Sequence, residues 1–261
     1  MGSFRMLCVA GLFFLSCSSS KTGVQKETAQ WVNLFNGKDL TGWKPKIAGY
    51  PLGENFGNTF RVDSGILSTR YDQYGNFNDR FGAIYYMKKF KNFRLAVDYR
   101  FTGELTAGAP TWGFRDGGIN YLGQDPATLE LNQPFPACLE YNLLGGNGKD
   151  DRATGEICAA GISIEFNGKK NTLFCTPPNV KRTFHGDQWV TAEIEVRDGN
   201  IAHFVNGEKI LAFNKPQWDT TNATVKKMFK AGDLVIVDGY ISLQSNSHPM
   251  DFKNIRIMAY K

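Results

Sequence analysis

The stretch VTAEIEVRDGNIAHFVNGEKILAF, residues 190–213, decides the fold class. From Val190 to Arg197 apolar and polar residues alternate, which is the period of a strand with one buried face. Asp198-Gly199 and Asn206-Gly207 are typical of two-residue hairpin turns, and an apolar run resumes after each of them. The stretch therefore predicts three consecutive antiparallel strands.

The same alternation continues outward from this stretch. It recurs over residues 93–102, and residues 239–245 and 252–260 close the chain as two further strands. Only TNATVKKMFK, residues 221–230, has the pattern of a helix, a short one with Thr or Asn as its cap. Without a βαβ rhythm or an internal repeat, the sequence predicts an all-β sandwich or barrel, as one domain over 31–261.

Composition and motifs exclude several classes of function. The 261 residues are 42% hydrophobic and 21% charged, as in soluble globular proteins, and the net charge of +5 gives little reason to expect a nucleic-acid partner. No G-x-G-x-x-G follows a strand and no P-loop occurs, so we expect no nucleotide cofactor. His185, His203 and His248 lie far apart in the sequence, and we expect no metal site. Calcium is conceivable in such a fold, but no D-x-D-x-D-G loop supports it.

The N-terminal residues have the pattern of an export signal. Arg5 is the only charged residue of 1–16, residues 6–15 are apolar, and a small residue precedes Cys17. This arrangement resembles a bacterial lipobox. We expect 1–16 to be removed as a signal peptide, Cys17 to be lipidated and residues 17–30 to form a tether. The expected location is extracytoplasmic, lipid-anchored to the outer membrane of a Gram-negative bacterium; a plain secretion signal is the alternative.

Export leaves three cysteines in an oxidising compartment, where disulfides form. Cys158 and Cys175 flank a short segment with a turn signal at Asn167-Gly168, as two strands of a hairpin would. We expect these two to form a disulfide and Cys138 to remain a buried thiol. Pairing of Cys138 with either of them stays open, because connectivity does not follow from sequence.

The two ends of the domain carry a family resemblance. LFNGKDLTGW at 34–43 resembles the start of the 3-keto-disaccharide hydrolase family, and GYISLQS at 239–245 followed by FKNIR at 252–256 resembles its close. Between them, GDQW at 186–189 and VNG at 205–207 are similar to the family's G-x-W and N-G signals. The resemblance extends from about residue 31 to the end of the chain.

This resemblance implies a fold and a chemistry. The family's fold is a two-sheet jelly roll of the concanavalin A-like lectin and glucanase type, which agrees with the predicted strands. Its members resemble enzymes that act on glycosides already oxidised to a ketone at C3. The ketone acidifies the C2 proton, so that a base removes it, the C1 substituent leaves and water adds back. The site needs a base near C2, an acid at the leaving oxygen and a donor for the enolate oxygen.

The segment PACLEYNLLGG, residues 136–146, carries the first candidates, because it matches the family's E-x-Q-L-L-G-G strand with Asn142 in place of Gln. Strand periodicity places Glu140 and Asn142 on one face and their apolar neighbours on the other. Glu140 is the first candidate for general base or acid, and Asn142 for binding sugar hydroxyls. Gln244, on the last strand but one, is a further hydroxyl ligand. For Glu140, an outward residue without function is the alternative.

The segment WGFRDGG, residues 112–118, carries the others, since it lies where the family shows an arginine, a polar residue and S-G. Asp116 stands where Asn is usual and is the second acid/base candidate, while Arg115 would orient substrate or stabilise enolate charge. These two could also be a surface ion pair. Trp112 is a candidate platform for sugar stacking, unless it packs in the core. His185, in a turn, is a further candidate, for substrate binding or as an acid/base group near neutral pH, unless it is incidental.

Two classes of function are compatible with these residues. The first is an enzyme, a hydrolase, lyase or hydratase acting on a small 3-keto-glycoside. The second is a non-catalytic, lectin-like carbohydrate-binding module, since one fold hosts both. An acid/base group with a shifted pKa in a cleft would distinguish the enzyme from the binder.

Overall fold

The computed structural model describes residues 1–2 and 30–260. Residues 3–29 lie outside the described residues. They include almost all of the predicted signal peptide and tether, and also Cys17, the predicted site of lipidation. Within the described ranges, none of the helices is both long enough and apolar enough to cross a bilayer.

The described part of the chain is built almost entirely from short strands. In chain order these are β1 (Val32–Asn33), β2 (Trp43–Ile47), β3 (Phe60–Asp63), β4 (Ile66–Thr69), β5 (Gly82–Phe90), β6 (Phe93–Phe101), β7 (Asp116–Gly123), β8 (Cys138–Leu144), β9 (Ile157–Ala160), β10 (Ile162–Phe166), β11 (Lys169–Lys170), β12 (Cys175–Thr176), β13 (Val190–Arg197), β14 (Asn200–Val205), β15 (Glu208–Trp218), β16 (Gly239–Ser245) and β17 (Met250–Ala259). One α-helix, α1 (Ala223–Met228), and three 3₁₀ turns, Phe56–Asn58, Thr111–Gly113 and Pro126–Thr128, interrupt them.

The strands form two antiparallel sheets. The larger, of ten strands, has the order β11-β10-β15-β14-β13-β6-β17-β4-β3, with β1 paired to β17. The smaller, of seven strands, has the order β12-β9-β8-β7-β16-β5-β2. One continuous cluster of buried apolar side chains takes members from both sheets and forms the core between them. The predicted all-β, two-sheet jelly-roll sandwich is confirmed.

The stretch that decides the fold behaves as predicted. β13 pairs with β14, and β14 with β15, each through a two-residue turn. Asp198 and Gly199 have φ of 48° and 74°, and Asn206 and Gly207 have φ of 48° and 81°. Two successive left-handed residues make the turn whose twist matches that of the flanking strands, and Asn, Asp and Gly adopt this conformation at least cost.

β7 and β8, neighbours in the seven-stranded sheet, place the candidate residues. Leu139, Tyr141 and Leu143 point into the core, where each is fully buried. Because side chains alternate along a strand, Glu140 and Asn142 lie on the opposite face of the sheet. The predicted division of β8 into an apolar and a polar face is therefore confirmed.

The disulfide also forms as predicted, between Cys158 and Cys175, and Cys138 is a buried free thiol. The expected hairpin is only partly right. Cys158 in β9 pairs directly with Cys175 in β12, but the turn at Asn167-Gly168 joins β10 to β11 in the other sheet. Between the two cysteines the chain therefore crosses to the ten-stranded sheet and returns to the seven-stranded sheet.

The predicted helix is present but shorter than residues 221–230. Asn222 caps α1, since its side-chain oxygen accepts hydrogen bonds from the backbone N–H of Thr224, at 2.9 Å, and of Val225, at 3.2 Å. Val225 is fully buried and anchors the helix to the sandwich.

Replacing Cys158 with Ser is expected to lower the free energy of unfolding by about 2–4 kcal/mol, because the unfolded chain loses its cross-link. Chemical denaturation of the non-reduced domain measures this difference. In excess dithiothreitol the variant and the parent should unfold alike, which serves as the control. Three reactive thiols in the denatured, non-reduced parent would contradict the disulfide.

Candidate active site

The outward face of the seven-stranded sheet carries the candidate chemistry. One row of cross-strand partners crosses all seven strands, and most of its side chains are polar. From β12 to β2 the row consists of Cys175, Cys158, Glu140, Asn120, Ser242, Tyr85 and Lys44. The strand register therefore places Glu140 near the middle of this face.

A glycine makes room for the polar side chains in the neighbouring row. Gly118 in β7 is the cross-strand partner of Asn142, and a Cβ at this position would collide with Glu140 Oε1 and lie 2.7 Å from Gln244 Oε1. Any larger residue would displace both side chains. Five side chains lie around this glycine; we call Asp116, Glu140, Asn142, Gln244 and Asn246 the Gly118 cluster.

Three of the amides of this face are tied into one chain of hydrogen bonds. Asn246 Nδ2 donates to Gln244 Oε1 at 2.7 Å and to Asp116 Oδ1 at 3.2 Å. Gln244 Nε2 donates to Asn120 Oδ1, and Asn120 Nδ2 donates to Ser242 Oγ, each at 3.0 Å. Because each amide has a fixed donor and acceptor end, the chain sets the orientation of all three amides.

The two carboxyl groups of the cluster have different pKa values. Burial raises the pKa of Glu140 to about 8, the charges of Asp116 and Glu156 add to the rise, and a hydrogen bond with Gln244 opposes it. Burial also raises the pKa of Asp116 to about 6, against the opposing effects of Asn246 and of Arg152, whose Nη2 lies 3.6 Å from Asp116 Oδ2. Near pH 7 Glu140 is therefore mostly protonated and Asp116 mostly ionised.

Glu156 is a member of the site that the sequence did not reveal. Its Oε1 accepts a hydrogen bond of 2.8 Å from Asn142 Nδ2, and its charge contributes to the raised pKa of both Glu140 and Asp116. It precedes β9 in a segment without strand alternation, so no sequence pattern pointed to its side chain. Asn120, in β7, and Asn246, just after β16, were also missed, because only the pairing of distant strands brings them to the site.

Arg115 and Asp116 do not pair with each other. Arg115 has a left-handed backbone, with φ of 44°, and its guanidinium binds Asp187 Oδ1 at 2.9 Å and the Gly186 carbonyl. Asp116 instead faces Arg152, which also donates to the backbone carbonyls of residues 114, 115 and 145. The alternative of an Arg115–Asp116 surface pair is therefore wrong, and Arg152 is the cation beside the cluster.

His185 lies in the loops next to Arg115, where it holds backbone. Its Nδ1 accepts a hydrogen bond of 3.0 Å from the Gly148 N–H, and its Nε2 lies 4.0 Å from Asp151 Oδ1. The ring is partly exposed. The structure thus places His185 in the loops beside the Arg115–Asp187 pair, and its role in binding substrate stays a prediction.

Trp112 lies at the edge of the cluster and is 51% exposed, so the alternative of a core residue is wrong. Its ring stacks on Phe81, with centroids 5.4 Å apart and planes at 11°. The next residue, Gly113, packs closely against the Asn246 carbonyl and Ser247 Oγ. Phe81 therefore supports one face of the exposed indole, and the backbone that follows it runs beside Asn246.

Among the described residues, one group of His, Cys, Asp and Glu side chains is close enough to hold a metal ion. It consists of Glu156, Cys158 and Cys175. The two sulfurs are bonded to each other and do not offer thiolate ligands. The arrangement gives no support for a metal, and the expectation of none stays a prediction.

Solved structures of other proteins share the fold. Two proteins of Parabacteroides distasonis ATCC 8503, provisionally described as glycosyl hydrolases, superpose with TM-scores of 0.55 and 0.53 at 20% and 16% identity. Both alignments cover 88% of this chain, and they cover 94% and 100% of those chains. A Bacillus subtilis protein of unknown function with a galectin-like fold superposes at 0.52 with 11% identity, covering 88% of this chain and 94% of its own. At these identities the likeness shows the fold alone.

No curated protein matches the sequence. The pattern of one protein family does match it, over residues 30–258, and that family is described as the 3-keto-alpha-glucoside-1,2-lyase-like domain. The match covers almost the whole sandwich, from the residue before the predicted domain start into β17. The chain therefore belongs to this family, as the motifs at its two ends predicted.

Proposed function

We propose that this chain is a carbohydrate-active enzyme that cleaves 3-keto-glycosides by removing the C2 proton and expelling the C1 substituent. Family membership supports the substrate class. The observation that carries the proposal is the pair of raised and unequal pKa values, about 6 for Asp116 and about 8 for Glu140, in one cluster on the polar face. Two carboxyl groups whose environments separate their pKa values can act as base and acid at the same pH.

The difference in pKa assigns the roles. Ionised Asp116 accepts the C2 proton, the C2–H electrons form the C1–C2 double bond, and the C1–O bond breaks. Protonated Glu140 gives its proton to the leaving oxygen. Arg152, which lies beside Asp116, stabilises charge on the enolate oxygen, and Arg115, which pairs with Asp187, orients the substrate.

After elimination the two carboxyl groups have exchanged protonation states, and this prepares the hydration step. Glu140, now ionised, takes a proton from the water that attacks C1, and Asp116 returns its proton to C2. The sum of both steps is hydrolysis of the glycoside, and both groups return to their starting states. If the unsaturated sugar leaves first, solvent resets them and the enzyme is a lyase.

The remaining predicted residues bind the sugar in this proposal. The exposed indole of Trp112 offers a flat apolar surface for a sugar ring, and Gln244 and Asn142 offer hydrogen bonds for hydroxyls. His185 contacts substrate from the loop edge. We further propose that the protein acts outside the cytoplasm, anchored through Cys17, where a disulfide such as Cys158–Cys175 persists.

A non-catalytic carbohydrate-binding module is the second candidate. It is favoured by the exposed ring of Trp112, stacked on Phe81, and by the amides of the polar face. A binder, however, gains nothing from a desolvated carboxyl such as Glu140, whose raised pKa lowers stability at neutral pH. The enzyme therefore explains more of the site.

Glu140→Gln tests the role of the acid. The variant should bind substrate within a few-fold of the parent, and kcat on a methyl 3-keto-glucoside should fall by about 10²–10⁴-fold, because the methoxide needs a proton. The loss of kcat should be much smaller with a 4-nitrophenyl leaving group, because nitrophenolate departs without a proton. Release of nitrophenolate measures this rate. Asp116→Asn should lose turnover on both substrates, together with hydrogen exchange at C2.

Glu54→Gln, at an exposed loop position, is the matched control and should behave like the parent. Equal losses for Glu140→Gln on both leaving groups would contradict the acid role. Binding of the 3-keto-glucoside without any release of nitrophenolate by the parent would favour the binding module.

The dependence of kcat/KM on pH should be bell-shaped, because this constant reports the acid and the base of the free enzyme. Activity rises as Asp116 ionises near pH 6 and falls as Glu140 ionises near pH 8. Arg152→Gln removes a cation that lowers the pKa of Asp116, so the acidic limb should move to higher pH. Initial rates between pH 5 and 9 check this, and an acidic limb that moves downward would contradict the assignment.

Stability should depend on pH through the same carboxyl group. The pKa of Glu140 is raised from 4.5 to about 8 on folding, so its contribution to stability is complete below pH 4.5 and is lost as pH rises towards 8. Gln does not titrate. Between pH 5 and 9, Glu140→Gln should therefore gain about 4 kcal/mol in the free energy of unfolding relative to the parent. Urea denaturation at both pH values measures the difference in free energy of unfolding between the variant and the parent. A difference that does not change with pH would contradict the raised pKa.

A further inference from the structure

Buried polar atoms without a partner are concentrated in one segment of the described part of the chain. Of seven such side-chain atoms, five belong to residues 245–248, and a sixth is Asn142 Oδ1. Folded proteins leave few buried polar atoms unpaired, so such atoms call for a physical explanation. Two of the seven, Asn142 Oδ1 and Asn246 Oδ1, belong to the Gly118 cluster.

Both of these atoms are hydrogen-bond acceptors, and the neighbours of each amide fix which of its two ends is the oxygen. Asn142 is 8% exposed, and its Nδ2 donates to Glu156 Oε1. A carboxylate only accepts, so rotating the amide would set two oxygens against each other. Asn142 Oδ1 is therefore held as the free end of the amide.

Asn246 is fixed in the same way. It is 4% exposed, and its Nδ2 donates to Asp116 Oδ1 and to Gln244 Oε1. Both partners are oxygens, so the reversed amide would lose both bonds. Asn246 Oδ1 is left as a second free acceptor, on the opposite side of Gly118 from Asn142.

We propose that Asn142 Oδ1 and Asn246 Oδ1 form an acceptor-only subsite that selects a neutral polyol, here the sugar ring, through two of its hydroxyl protons. A carbonyl or anionic oxygen at these positions would meet lone pairs and stay without a hydrogen bond. The oxygen of an oxidised sugar carbon is thereby directed to a donor beside the cluster, the guanidinium of Arg152. This inference rests on the proposed function, because it takes the Gly118 cluster as the sugar site.

Deoxyfluoro sugars test the polarity of the subsite, because fluorine accepts weakly but cannot donate a hydrogen bond. The probes are methyl α-D-glucopyranoside, which lacks the ketone and so reports binding alone, and its 2-, 3-, 4- and 6-deoxy and deoxyfluoro analogues. Dissociation constants by NMR titration should show two positions at which the deoxyfluoro analogue binds as weakly as the deoxy analogue. Each should be about tenfold weaker than the parent sugar, which corresponds to about 1.4 kcal/mol.

Variants assign the two positions to the two amides. Asn142→Ala should abolish the fluorine penalty at one position and Asn246→Ala at the other, each with thermal unfolding as the check of folding. Asn214→Ala, in the ten-stranded sheet, removes another buried unpartnered amide oxygen, so it is the matched control and should retain both penalties. If a variant does not fold, the binding of the sugar analogues to the parent protein still tests the acceptor-only subsite.

The outcomes separate this inference from the proposed function. Deoxyfluoro analogues that bind within twofold of the parent sugar at every position would overturn the acceptor-only subsite. If the protein still released nitrophenolate from a 3-keto-glucoside, the proposed function would stand. No binding of the parent sugar would overturn this subsite, and loss of nitrophenolate release in Asp116→Asn would then decide whether the Gly118 cluster is the site of cleavage.

Discussion

The register of β7 against β8 is the constraint on which the site depends. It sets Glu140 beside Asn120 and Asn142 beside Gly118, while Tyr141 and its apolar neighbours fill the core. A slip of one residue would turn the buried apolar row to solvent and bury Glu140 between the sheets. The free energy of core burial, at roughly 25 cal/mol per Å² of apolar surface, therefore also holds the candidate acid in position.

Gly118 shows how closely the backbone and the chemistry are coupled. The side chains of Glu140 and Gln244 occupy the space that a Cβ of residue 118 would fill. The missing Cβ therefore lets β8 and β16 bring a carboxyl group and an amide together. The desolvation that results raises the pKa of Glu140, which is costly for a group that ionises at neutral pH. The sandwich tolerates this cost because the core on the other face of the same strands is continuous.

Alternation along single strands was predictable, and pairing between distant strands was not. The sequence placed Glu140 and Asn142 on one face because that follows from period two within β8. Glu156 and Asn246 escaped notice because strand order and side-chain hydrogen bonds, not sequence spacing, bring them to the cluster. The disulfide illustrates the same limit: its pairing was right, but the intervening hairpin at 167–168 lies in the other sheet.

The departure of this chain from the family pattern at position 116 has an electrostatic consequence. An amide at this position, as the resemblance leads one to expect, would add no charge beside Glu140. The carboxylate of Asp116 does add charge, and after burial it is the largest cause of the raised pKa of Glu140. Arg152 prevents the opposite outcome, since its positive charge limits the rise in the pKa of Asp116 itself. Asp116 and Arg152 together leave one carboxyl group ionised near pH 7, that of Asp116, and the other protonated, that of Glu140. Removal of the C2 proton and protonation of the leaving oxygen require this pair of states.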